Sequence, residues 1–272
     1  MEIIGRGFFA RNLQPIASAH PGVTVLAAGV ARTRTAAEAE YRREARLVHR
    51  TLADCARRGR TLVFLSTASA SLYGGDGVPG REDAVPPAPE PFGRHKLGLE
   101  DAVRESGVRH LVLRMAHAVG PHQTGQLLIG LLGALRAGEV TVYRGSRRDL
   151  IDIADAVAII DALLRAGVAG ETVNVASGHA AAIEDIVDRL EHHLRHREAA
   201  APARRRWVDA ASVQAVSTAK LLRLVPAAGR MGFGPGYHRT VIDRHIGTLL
   251  RAAAAPPPPG PAEGLAATRP PA

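Results

Sequence analysis

Four hydroxyl residues, Ser66, Thr67, Ser69 and Ser71, fall within six positions of one another and are followed by Tyr73. A loop then leads to a helical pattern bearing His95 and Lys96. An apolar run ending in hydroxyls, then a loop, then a helix with one lysine is an enzyme-like arrangement. Lys96 is one of only two lysines in the chain, with Lys220, so its placement stands out against an arginine-rich background. Phe92, one helical turn before Lys96, is a poor fit to proton chemistry, because a phenyl ring has no proton to give. Tyr73, His95, His117, water and a hydroxyl of the substrate itself are the candidates for moving a proton in its place.

Alternating strands and helices must hold these residues. Glu2-Ile3-Ile4 reads as a strand running into Gly5-Arg6-Gly7-Phe8-Phe9-Ala10, a G-x-G-x-x-A turn that opens a helix predicted to reach Ala19. Glycines let backbone approach a pyrophosphate, and a helix start offers free N–H groups. The Phe8 and Phe9 rings are expected to pack under that turn. Pro21-Gly22 ends the helix, and residues 23–29 form the next strand and turn. Ala45, Val48, Leu52 and Ala56 recur at helical spacing within a helix over 41–58. Residues 61–65 and 108–115 are apolar strands, and the Gly/Pro/acid-rich stretch 74–91 is a surface loop of the kind that borders substrate sites. Further helices are predicted over 126–137, 183–193 and 239–251, with a strand over 139–143. The Ala/Pro/Gly-rich residues 252–272 read as disordered.

The formal charge of +9 is carried almost wholly by arginines spread along the chain, without a dense basic tract. Solubility and coding bias account for it first and anionic cofactor phosphates second, ahead of nucleic acid, since aromatic residues make up only 4% and cannot supply stacking platforms beside Arg204-Arg205-Arg206-Trp207. No apolar run is long enough to span a membrane. A single cysteine, Cys55, cannot form an internal disulfide, and the chain enters a strand at once, which together predict a cytoplasmic location. His192, His193 and His196 have metal-like spacing but no obvious carboxylate or cysteine partner, so no metal is expected.

The order of these motifs resembles the extended short-chain dehydrogenase/reductase family, of the NAD-dependent epimerase/dehydratase type. Ser69 lies four residues before Tyr73, the spacing of that family's catalytic serine, and Lys96 takes the lysine of its Tyr-x-x-x-Lys motif, whose tyrosine is here Phe92. Arg114, Gly120, Pro121 and Gln123 match its Arg-x-x-Asn-x-Tyr-Gly-Pro-x-Gln segment, with His117 in the asparagine slot and Val119 in the tyrosine slot. Arg148-Asp149-Leu150-Ile151 through Val157, and Asn174-Val175-Ala176-Ser177-Gly178, match two later segments. Leu26-Ala27-Ala28-Gly29 is similar to the family's fourth strand, not its second, so the second and third strands are expected to be missing.

The resemblance implies an α/β fold, a Rossmann-type doubly wound parallel sheet shortened near the N-terminus. It implies an NADP-binding domain over 1–175 (with 120–150 contributing to the substrate pocket), a small substrate-binding part over 176–250 and a tail over 251–272. Cofactor contacts are expected from Gly5, Arg6, Gly7, Phe8, Phe9, Ala10, Arg11, Ala27, Ala28, Gly29, Arg32, Arg34, Ser66, Thr67 and Lys96. The arginines, with no acidic residue evident after the second strand, favour NADP(H) over NAD(H). Ser69, Lys96 and His117 are the expected catalytic residues, and Phe92, Tyr73, His95, His117 and Gly120 the expected pocket lining.

In the family, tyrosine gives a proton to a carbonyl while the cofactor gives hydride, lysine binds the ribose and serine holds the substrate oxygen. Phe92 closes that route. The expectation is an atypical NADPH-dependent ketoreductase of an aromatic polyketide, similar to the angucyclinone ketoreductases, whose conjugated substrate absorbs charge itself. The alternatives are a nucleotide-sugar epimerase or dehydratase, and an NADP(H)-binding redox sensor without turnover. The sequence leaves the oligomeric state open.

Overall fold

A computed structural model describes residues 1–30 and 37–255. The chain opens with β1 (Glu2–Ile4), α1 (Phe8–Asn12), a 3-10 turn over Gln14–Ala19, β2 (Val23–Leu26), α2 (Glu38–Arg58) and β3 (Thr61–Thr67). The short α3 (Ala70–Tyr73), a loop and α4 (Pro91–Glu105) lead to β4 (His110–Met115) and β5 (His117–Val119). Then come α5 (Leu127–Arg136), β6 (Glu139–Tyr143), β7 (Arg147–Asp152), α6 (Ile153–Arg165) and β8 (Glu171–Val175). The remaining elements are β9 (Ala180–Ala182), α7 (Ile183–Glu198), β10 (Arg204–Val208), α8 (Ala219–Leu224) and α9 (Tyr237–Ala254).

β1, β2, β3, β4 and β8 form one parallel sheet in that order. Side chains alternate between its faces. Val63, Leu65, Leu111 and Leu113 face Phe8 and Leu13 of the first connection and Ile159 and Ile160 of α6. Leu62, Phe64 and Val112 face Val48 and Leu52 of α2 and Leu99 and Val103 of α4. Helices therefore cover both faces, as a doubly wound sheet requires. β1 is an edge strand, which is the predicted shortening: no strand among the described residues lies beyond it.

The shortening has a topological trace. The connections β1 to β2 and β2 to β3 each move the chain one strand in the same direction, yet they lie on opposite faces. They are therefore of opposite hand, and one departs from the right-handed rule for parallel crossovers. Because the connections leave to opposite faces, the carboxyl ends of β1 and β2 form a switch point, the kind of place whose crevice binds ligands in open α/β sheets.

The first helix is shorter than the sequence pattern predicts. Pro15 has no N–H to donate and disfavours an α conformation in the residue before it. α1 ends at Asn12, and a 3-10 turn carries the chain on. A second core gathers Leu128 and Leu132 of α5, Val142 of β6, Leu190 of α7 and Val241 and Ile246 of α9. It is tied to the main sheet through β5, β7 and β9, which form a separate three-stranded sheet. Among the described residues no helix is long and apolar enough to cross a membrane. The expected tail falls largely on residues 256–272, outside the described residues.

Candidate active site

β3 ends in the hydroxyl residues, and α3 and α4 pack against the turn beyond its last residue. A Cβ on Gly93 would lie 1.7 Å from the Ser71 carbonyl oxygen, so only glycine lets α4 approach the serine turn this closely. Thr67, Ser69 and Ser71 form a hydroxyl chain, with Thr67 Oγ1 donating to Ser69 Oγ at 2.9 Å and the Ser69 and Ser71 hydroxyls 2.6 Å apart. Ser66 points elsewhere. Its hydroxyl donates to Glu100 Oε1 at 2.5 Å, in a buried network beneath the crevice.

Arg114 is the centre of that network. Its guanidinium is 1% exposed and grips Glu100 with Nε–Oε1 at 3.0 Å and Nη2–Oε2 at 2.6 Å. It also donates to the Tyr73 hydroxyl at 2.8 Å, which donates in turn to Asn174 Oδ1 at 2.7 Å. Burial raises the Tyr73 phenol to about 12, the opposing charge of Arg114 notwithstanding. The phenol nearest the hydroxyl turn is thus occupied on both sides and held protonated.

Lys96 is buried on α4, its ammonium 5.4 Å from the Phe64 ring centre and 5.7 Å from that of Phe92. It donates to Glu44 Oε1 at 2.6 Å. Glu44, from α2, also accepts from the Val30 N–H at 3.1 Å and lies 3.0 Å from His95 Nε2, both at Oε2. Burial alone would raise the Glu44 carboxyl, but His95, Lys96 and the Val30 N–H outweigh it and bring it down to about 2. His95 is half-buried and its ring stacks on Tyr41, with centres 4.5 Å apart. Gly29 is exposed, and a Cβ there would lie 2.4 Å from Glu44 Oε1 and 2.9 Å from Lys96 Nζ. The ion pair therefore sits directly beneath the backbone that follows β2.

Glu44 was not among the sequence candidates. Its signal is its position: it precedes Val48 by one helical turn and Leu52 by two, which puts a carboxylate on the buried face of α2.

At the front of the crevice, Gly5 lies against the Ala27 carbonyl, and Arg6, Gly7 and Arg11 are exposed. Phe8 and Ala10 are buried, Phe9 is half-buried against Phe8, and Ala27 and Ala28 are half-buried. Arg32 and Arg34 lie outside the described residues. A dinucleotide in this crevice fits the open backbone at Gly7 and the flanking Arg6. At Gly29 it would meet both members of the Lys96–Glu44 pair.

On the other side of α4, His117 begins β5 opposite Leu150. Burial pushes its imidazole down to about 4, and the Arg148 guanidinium acts in the same direction. Arg148 donates only to the carbonyls of Arg147 at 2.8 Å and Ser212 at 2.6 Å. It makes no ion pair among the described residues, and burial lowers its pKa, partly offset by the charge of Glu90, the residue before α4. Gly120 is buried, its α-carbon packed against Ile153. His193 pairs with Asp243, and no metal-binding cluster occurs among the described residues.

The structure thus gathers Thr67, Ser69, Phe92, His95 and Lys96 around α4, with His117 and Arg148 beyond. It withdraws Ser66 and Tyr73 into the network below. Residues 10–176 match the NAD dependent epimerase/dehydratase family. The chain belongs to that family.

Several solved structures share the fold. RMD from Pseudomonas aeruginosa complexed with NADPH is 19% identical, covering 92% of this chain and 97% of that one, with a TM-score of 0.68. MoeE5 in complex with UDP-glucose and NAD is 20% identical over 92% and 86%, with a TM-score of 0.70. UDP-N-acetylglucosamine 4-epimerase from Methanobrevibacter ruminantium M1, in complex with UDP-N-acetylmuramic acid, is 14% identical over 84% and 76%, with a TM-score of 0.70. No protein of curated function matched the sequence.

The expectation of an aromatic-polyketide ketoreductase of the angucyclinone type is corrected by these findings. The related structures are predominantly enzymes of nucleotide sugars. The physical reason agrees: the partly buried Arg148 guanidinium pairs with no carboxylate within salt-bridge distance among the described residues, and such a cation suits an anion better than a neutral polycycle.

Proposed function

We propose that this chain is a nicotinamide-dependent enzyme acting on a nucleotide sugar, as an epimerase or dehydratase, with proton transfer moved away from position 92. The observation that carries the reading is Arg148. A partly buried cation bonded only to carbonyls is stabilised by an anion, and a nucleotide sugar brings a diphosphate. The hydroxyl chain Thr67, Ser69 and Ser71 would hold a sugar hydroxyl or carbonyl oxygen.

The backbone from Gly5 to Phe9 would hold the cofactor diphosphate, the turn at Ala27, Ala28 and Gly29 would floor the crevice, and Lys96 would face the ribose. Exposed Arg6 and Arg11 favour NADP(H) through a second phosphate. When bound, the nicotinamide supplies a hydride acceptor and donor. The groups of this chain able to move a proton beside it are His95, next to Lys96 on α4, and His117, beside Arg148.

A second reading, NADP(H) binding without turnover, draws support from Phe92 and from the sealed Lys96–Glu44 pair. The two separate in one experiment. The full chain is titrated with NADPH and NADH by nicotinamide fluorescence, then incubated with UDP-glucose, UDP-N-acetylglucosamine and dTDP-glucose while products are followed by NMR. Epimerised or 4-keto sugar is the expected result. Cofactor binding with no nucleotide-sugar binding and no product would replace the enzyme reading with the second.

A further inference from the structure

We infer that Glu44 occupies, in the free protein, the place on Lys96 that a cofactor ribose would take, and so sets how tightly this chain binds a nicotinamide cofactor. The inference rests on the nicotinamide reading above and concerns the same crevice. Lys96 Nζ has one hydrogen-bond acceptor among the described residues, Glu44 Oε1 at 2.6 Å, and otherwise faces the Phe64 and Phe92 rings. Both members of the pair are nearly sealed, with side chains 5% and 3% exposed. The pair lies just under exposed Gly29, at the crevice floor, where an added Cβ would strike both partners.

Glu44 is not held by Lys96 alone. Its other oxygen takes the Val30 N–H and His95 Nε2. The other two ammonium N–H groups lie toward the Phe64 and Phe92 rings, so a ribose diol that approaches Lys96 from Gly29 competes with a carboxylate held by three partners. Displacing that carboxylate also frees His95 and the backbone that follows β2. The carboxylate's charge further opposes an approaching diphosphate. Apparent affinity is reduced by the fraction of molecules in which the competent arrangement is populated. Removing the carboxylate leaves a buried ammonium with only aromatic faces for company, which weakens the free protein and favours any ligand that brings acceptors.

The test compares the full wild-type chain with Glu44→Gln, Glu44→Ala and the control Glu38→Gln, whose exposed side chain pairs with Arg42 alone among the described residues. Dissociation constants for NADPH and NADH are measured by fluorescence, and melting temperatures with and without cofactor. Glu44→Ala, which removes the competing acceptor, is expected to bind at least ~10-fold tighter than wild type, and Glu44→Gln, which keeps an acceptor oxygen but loses the charge, to bind tighter by a smaller factor. Both should also melt lower when free and gain more on adding cofactor, with the control unchanged. Should Glu44→Ala fail to fold, Glu44→Gln alone decides. Wild-type binding that Glu44→Gln leaves unchanged or weakens overturns the inference and spares the nicotinamide reading. Absence of binding by every variant at millimolar cofactor overturns both.

Discussion

Glu100→Gln removes one charge from the buried network under the crevice while keeping its shape. Glu100 is fully buried and receives two Arg114 nitrogens and the Ser66 hydroxyl. Glutamine offers one acceptor oxygen and turns an NH2 group toward the guanidinium, leaving Arg114 buried and unneutralised. Breaking one side of such a pair costs about 3–5 kcal/mol. For a chain near this size each kcal/mol shifts the melting temperature by roughly 2–4 °C, so the drop should be about 6–20 °C. Thermal and urea unfolding measure it. The double variant Glu100→Leu/Arg114→Met removes both charges and should recover most of the loss, since a buried pair replaced by apolar groups is often close to neutral. Strictly additive losses in this cycle, or a Glu100→Gln cost below ~1 kcal/mol, would refute the claim that the pair neutralises itself in a sealed site. The network also fixes Tyr73, so Tyr73→Phe should leave turnover unchanged and lower stability only.

Arg148→Met should weaken nucleotide-sugar binding by about 1.5–3 kcal/mol, or ten- to a hundredfold, with NADPH affinity preserved, as read by calorimetry. Phe92→Tyr should change turnover by less than ~10-fold, because proton transfer lies with His95 or His117; a gain of ~100-fold or more would mark position 92 as the lost proton donor. His117 makes the folded chain more acid-sensitive. Its imidazole titrates near 4 when folded and near 6.5 when unfolded, so between those values the unfolded chain binds more protons and stability falls as pH falls. From pH 7 to 5 the loss attributable to this group is about 2 kcal/mol, and urea titrations of wild type and His117→Asn should differ by that amount.

Much of the frame was legible from residue order alone. Apolar runs, and the likeness of Leu26-Ala27-Ala28-Gly29 to a fourth strand, yielded the parallel sheet and its missing front strands. These are local patterns, and the backbone answers to them locally. The sequence also marked Lys96 on its helix and the missing phenol at Phe92. From that absence the reading went on to a conjugated polyketide substrate, and there it failed. A missing group says what chemistry is closed, but not which ligand the surrounding charges suit.

What the sequence determined, then, was the order of elements and the types of residue placed at the ends of β3 and α4. Tertiary structure alone decided their company. Lys96 meets Glu44 from 52 positions earlier, Tyr73 meets Asn174 from 101 positions later, and Arg148 meets no carboxylate at all among the described residues. The strength and direction of a charge's effect depend on distance and burial in the folded chain. Neither is written in the spacing of residues along it.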